Sequence, residues 1–145
     1  MRKKIISRNV IVVFCLAAFL SGCGFMFGKF PAYFDENSYK SLTFAKAKIL
    51  FLYDSFGKAE VDLDEIKSVR LDLARIYEYE KGKGAKNEAT TKQVELIMEG
   101  FEDHVKDRLK KDRWDEFDLE DFSENIADYF DIAIKTESLK NRKWE

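Results

Sequence analysis

Residues 90–110 read TTKQVELIMEGFEDHVKDRLK. Val94, Ile97, Met98, Phe101, Val105 and Leu109 fall at i, i+3, i+4, i+7, i+11 and i+15. That spacing puts them on one face of a helix turning every 3.6 residues. The other face is charged, with Glu95, Glu99, Glu102, Asp103, Lys106 and Lys110. Glu102 precedes Lys106 by four positions, the favourable order for an ion pair along a helix. Thr90 followed by Gln93 has the form of a capping box, so the spacing predicts a helix starting there. Gly100 is its one weak residue, costing about 1 kcal/mol against Ala.

The same period extends in both directions. Upstream, Leu42, Ala45, Ile49, Leu52, Tyr53 and Phe56 form one stripe, with Asp35, Asn37 or Ser38 able to cap its start and Gly57 at its end. Phe44, Ala47 and Phe51 make a second apolar set on roughly the opposite side, as in a helix that is sandwiched or meets a partner. Asp62 with Glu65 opens the next stripe, Ile66, Val69, Leu73, Ile76 and Tyr77, and Leu71 lies off it. That helix ends in a loop of glycines and lysines at 81–86. Downstream, Trp114 to Phe117 read as a short turn. Asp118 with Asp121 then starts a helix whose stripe is Leu119, Phe122, Ile126, Tyr129, Phe130 and Ala133, widened by Ile132, Ile134 and Leu139. No stretch alternates with the period of two that a strand needs. The expected fold is all-α: an up-down four-helix bundle over residues 35–145.

The chain has 145 residues, enough for one domain and too few for two. Residues 1–9 carry Arg2, Lys3, Lys4 and Arg8 and no acid, Val10 to Leu20 are apolar, and Ser21, Gly22 and Cys23 follow. A basic start, an apolar stretch of this length and small residues at its end describe a secretory signal peptide, here residues 1–22. The apolar run is shorter than the roughly 20 residues a spanning helix needs. Leu20-Ser21-Gly22-Cys23 resembles the lipobox of bacterial lipoproteins. The resemblance covers this segment only. It implies that the signal is cut before Cys23 and that Cys23 carries diacylglycerol and an acyl chain. Two or more such chains give stable membrane anchoring. Gly24, where an Asp would commonly signal inner-membrane retention, implies the outer membrane by the same resemblance. Removing the four basic residues takes the net charge from −2 to −6. Such a charge argues against nucleic acid as a ligand, because phosphate binding needs a basic face. No cysteine remains after Cys23 to form a disulfide.

Residues 23–34 form a short tether of unusual composition, since linkers are usually rich in Gly, Ser and charge. Phe25, Met26 and Phe27 are expected at the membrane interface, and Phe30 to Phe34 against the domain. Fully extended, the tether reaches at most ~40 Å, so the domain is expected to work close to its membrane.

Chemistry-bearing patterns are sparse. His104 is the only histidine, and it reads as a surface or boundary residue rather than a ligand or base. The densest run of acids, DRWDEFDLED at 112–121, invites a Ca²⁺, sugar or hydrolase reading. It lacks the glycine and fixed spacing of an EF-hand, and acids at a helix start are favoured by the helix dipole alone. Gly82-Lys83-Gly84 lacks the preceding strand and the Lys-Ser/Thr ending of a phosphate loop. No catalytic, metal or cofactor set is assigned, and the protein is read as a non-enzyme. The surplus is apolar: Leu71, Phe44, Phe51, Trp114 and Trp144 are the candidate partner contacts, because exposed apolar clusters mark binding surfaces.

The expected function is that of a lipid-anchored helical binding module acting on another envelope protein, in an adaptor, assembly or chaperone role. In size and anchoring it is similar to the small helical pilotins, though it lacks the cysteine pair some of them carry. Alternative readings are an exclusion or immunity lipoprotein that blocks a receptor or channel, a self-associating structural lipoprotein, and an envelope hydrolase using the acids at 112–121.

Overall fold

The computed structural model describes residues 33–140. The chain divides into two units, and the described residues all lie in Pro31–Glu145. Among the described residues four helices follow one another: α1 Glu36–Phe56, α2 Leu63–Gly82, α3 Glu88–Lys110 and α4 Glu116–Ser138, with a 3-10 turn at Ala85–Asn87 before α3. Among the described residues there is no strand. The segment expected to be a signal peptide, residues 1–22, and Cys23, Phe25, Met26, Phe27 and Phe30 lie outside the described residues, as does Trp144.

Each helix start has a local cause. Asp35 accepts from the backbone N–H of Asn37 at 2.9 Å. Asp62 accepts from those of Asp64 and Glu65 at 3.0 and 2.9 Å. Both carboxylates satisfy N–H groups that have no partner within the helix. α4 starts one turn earlier than the sequence pattern suggests. Asp115 caps it and forms a capping box with Asp118, so Asp118 is the third helical residue and not the cap. The reason lies just upstream, where Trp114 is fastened by its N–H to Phe56 O at 3.0 Å. α3 also starts early, at Glu88. Thr90 is therefore buried inside its first turn instead of capping it, and Gln93 reaches across to Thr136 Oγ1 of α4 at 2.9 Å. Gly84, at φ +79°, makes the bend that allows this.

α1 packs against α2 and α4, and α3 packs against α2 and α4. Ser38 near the start of α1, Glu80 near the end of α2, Asn87 before α3 and Glu137 near the end of α4 converge, so helices adjacent in sequence run in opposite directions. The core is a single cluster. All six residues of the α1 stripe are buried, as are Ile66, Val69, Leu73 and Ile76 of α2 and Val94, Ile97, Phe101 and Val105 of α3. Each such side chain contributes about 1.5–3 kcal/mol of burial relative to exposure. Leu109, Ile132 and Leu139 are exposed, against expectation. Ile132 projects from the side of α4 away from its buried residues, and Leu139 lies just past the end of that helix. Leu109 yields its place to Arg108, which lies in phase with Phe101 and is buried. Gly100 has a packing role: a Cβ there would come within 2.9 Å of the Tyr129 ring. The cost in helix propensity is thus accepted for a close α3–α4 approach.

Candidate functional site

A groove of about 660 Å³ runs between α1 and α2. Its floor is apolar, with Ala45 from α1 and Ile76 from α2, and both are buried. Lys40, Arg75 and Glu78 give it a charged rim, and Tyr79 and Glu80 belong to its lining. Phe44 stands in the groove and is 64% exposed. Phe51, seven residues on and therefore on the same face of α1, is 78% exposed. At the groove's edge, Lys48 ties α1 to α2 through Asp72, itself part of the lining, at 2.8 Å and through Ser68 at 2.6 Å. The hydrogen bond that Lys48 donates to the Asp72 carboxylate raises its ammonium above the usual range, against the effect of burial. An apolar floor, a protruding ring and a charged rim suit the apolar face of a helical segment.

Of the partner contacts expected from the sequence, Phe44, Phe51 and Leu71 are exposed, Leu71 at 62%. Leu71 stands four residues before Arg75 and seven before Glu78, on the outward row of α2 beside the groove. Trp114 is corrected: it is 1% exposed and belongs to the core. Its ring meets Tyr53 at 5.1 Å and Phe56 at 4.8 Å edge-on, and its Nε1–H donates to Asp107 at 3.0 Å. It is unavailable to a partner because it plugs the end of the bundle opposite Asp35. Phe34, expected on the domain, stands 6.1 Å from the Tyr39 ring, while Tyr33 is exposed.

His104 is also corrected. It is 7% exposed and lies within the aromatic core, with Nδ1 2.9 Å from the Tyr53 hydroxyl and its ring 4.6 Å from Phe122. Burial lowers its pKa below the ordinary value, and burial drives the Tyr53 phenol far upward. His104 faces the core and not the groove. In the acidic stretch, Asp115 and Asp118 are occupied as the α4 cap, and Lys111 holds Asp118 at 2.8 Å and below the usual carboxylate range. Among the described residues, no three His, Cys, Asp or Glu side chains converge as a metal site. Gly82-Lys83-Gly84 is a turn whose lysine points inward, to Asp35 at 2.9 Å and to Glu80 and Ser38.

That inward lysine belongs to a buried polar cluster that sequence reading missed. Glu80, Asn87, Glu137 and Ser38 are fully buried and Lys140 nearly so. Lys140 Nζ donates to Glu137 and, at 2.6 Å, to Asn87 Oδ1. Asn87 Nδ2 donates to Glu80 Oε2 at 2.6 Å, and Ser38 Oγ donates to Glu80 Oε1. The backbone N–H of Asp35 donates to Glu137 at 2.8 Å, and the Tyr79 hydroxyl donates to the Asp35 carboxylate at 2.8 Å. Burial alone would raise the Asp35 carboxyl. Hydrogen bonds from Lys83, Tyr79 and the Asn37 N–H outweigh it and lower its pKa to about 2. A signal existed: Glu80 and Glu137 each sit four residues after a core residue, Ile76 and Ala133, in phase with the stripe.

Comparison with protein-family models, with curated proteins and with solved structures finds no match to this chain.

Proposed function

We propose that the protein is a lipid-anchored, non-enzymatic binding module that receives an amphipathic segment of another envelope protein in the α1–α2 groove. The observation that carries this reading is the pair Phe44 and Phe51, exposed on one face of α1, with Phe44 standing in a groove whose floor is apolar. Exposed phenylalanines cost solvation in a free protein and are the type of residue that anchors interfaces. The anchoring half rests on the sequence alone: the basic start, the apolar run and the lipobox-like Leu20-Ser21-Gly22-Cys23. On this reading the signal peptide is cut, Cys23 is acylated, the up-down bundle is held at the outer membrane, and the adaptor or chaperone role follows from the partner.

Cross-linking in the native host, with the bound species identified by mass spectrometry, tests the binding half. The expected result is one dominant envelope protein, lost in Phe44→Ser/Phe51→Ser while the helical spectrum is kept. A cross-link pattern unchanged by that pair of substitutions would sink the groove. Fractionation of Cys23→Ser tests the anchor separately. The substitution is expected to release the protein or leave it uncut, and normal cleavage with full membrane retention would refute lipidation.

A further inference from the structure

The buried polar cluster plays no part in the groove reading, yet the two share a wall. Tyr79 and Glu80 line the groove. The same two residues hold the start of α1, Tyr79 through Asp35 at 2.8 Å and Glu80 through Ser38. From the other side Glu137 holds the Asp35 N–H at 2.8 Å, and Lys140 pairs with Glu137. Lys140 also reaches Asn87, which bonds Glu80 at 2.6 Å, so the contacts close into a ring that joins α1, α2, the turn leading into α3 and the end of α4.

We propose that this ring is a latch. Lys140, at the end of α4, keeps the first turn of α1 and the Tyr79–Glu80 wall of the groove closed, and loss of its charge loosens both together. The charge balance gives the reason. Asp35, Glu80 and Glu137 supply three carboxylates, and Lys83 and Lys140 supply two ammonium groups. Without Lys140, Glu137 is left buried with no cation paired to it among the described residues. Uncompensated buried charge is strongly unfavourable. Opening the end of the bundle to water relieves it without unfolding the rest, because proteins open in local units. The opposite end is held by other groups, Arg108 and Trp114, and is independent of this ring. A segment seated against Tyr79 would then bind the latched and unlatched forms differently, so the end of α4 would tune what the groove holds.

Amide hydrogen exchange on the full chain carrying Lys140→Met tests this, since Met keeps the aliphatic stem and removes the charge. Amides of residues 39–42 and 79–83 are expected to exchange at least about tenfold faster, with those of residues 53–56 and 104–108 unchanged. Equal acceleration in all four helices would overturn the latch, showing a network that only adds global stability. Unchanged exchange would overturn it as well. If Lys140→Met does not fold, Asp35→Asn replaces it as a variant that adds no buried charge. It is expected to speed exchange at 39–42, and wild-type protection there would refute the latch. Lys106→Met, which breaks an exposed pair with Asp103, is the control and is expected to leave both segments unchanged.

Discussion

His104 shows how much one enclosed ring can do to the pH response of the molecule. Its imidazole is neutral in the core because burial opposes the charged form, an effect that the carboxylates of Asp103, Asp121 and Asp107 only partly offset. The folded-state pKa is thus below the ordinary 6.5. The unfolded chain takes up the proton first, so stability is intact above pH 6.5 and is lost as pH falls from there towards the folded pKa. Asp35 contributes in a separate window: its stabilisation is present above the ordinary aspartate value of 3.8 and is lost as pH falls towards about 2. Since His104 is the chain's only histidine, the fall between pH 7.5 and 5.5 belongs to it. The urea midpoint is expected to drop over that interval. In His104→Gln, which keeps a polar partner for the Tyr53 hydroxyl, most of the drop is expected to vanish. An identical drop in the variant would place the titrating group elsewhere.

At the scale of helices, the caps decide where each element begins, and α4 gives the sharpest case. Asp115 Oδ1 accepts from the Asp118 N–H at 2.9 Å, and its charge lies at the positive end of the helix dipole. Asp115→Ala is expected to cost about 1 kcal/mol in denaturant unfolding, as losses of such caps do. Asp121→Ala, in the same acidic run but outside the cap, is expected to change stability by less than about 0.5 kcal/mol. Equal effects would mean that the acids act through bulk charge and not through the cap. The stripes of Leu42 to Phe56 and of Val94 to Val105 were legible in the sequence because burial follows the 3.6-residue period whatever the exact helix ends. The ends were less legible, because contacts distant in sequence move them. Trp114 bonded to Phe56 shifts α4, and Asn87 bonded to Glu80 and Lys140 accompanies the shift of α3. Phe44, Phe51 and Leu71 were legible as off-stripe residues. Trp114 was misread because a large aromatic outside the helical pattern gives no phase from which to infer burial. Arg108, Glu80 and Glu137 were passed over because residue type was weighed above phase. A long or charged side chain in phase with a core stripe can be buried when its head finds partners.

At the largest scale, the bundle of described residues carries polar groups at both ends, and Arg108 closes the end where α1 and α3 finish. Its guanidinium donates through Nε to Phe56 O at 2.9 Å, through Nη2 to Lys58 O at 2.6 Å and Ala59 O at 3.2 Å, and through Nη1 to Lys111 O at 2.9 Å. The last carbonyls of a helix have no partner within it, and here one side chain serves carbonyls at the ends of both α1 and α3. Arg108→Met keeps the buried stem and removes the donors. Leaving buried acceptors unmet costs about 1–3 kcal/mol for each group that water cannot reach. Phe56 O keeps the Trp114 backbone N–H as a partner, and the other carbonyls lie in the exposed connections after α1 and after α3, which can open to solvent. The net expectation is therefore a loss of about 1–2 kcal/mol, from the hydrogen bonds removed and not from acceptors left unmet. Arg70 provides the comparison. It makes an equally well-formed double contact with Glu102, at 2.6 and 2.8 Å, but at the surface. Ion pairs of that kind are worth less than about 1 kcal/mol. Arg70→Met is therefore expected to shift the urea midpoint only slightly, and 1 M NaCl is expected to erase most of that shift while leaving the Arg108→Met loss in place. Comparable losses in the two variants, or a salt-sensitive loss at Arg108, would mean that the end of the bundle is held by its aromatic plug and not by the carbonyl cap.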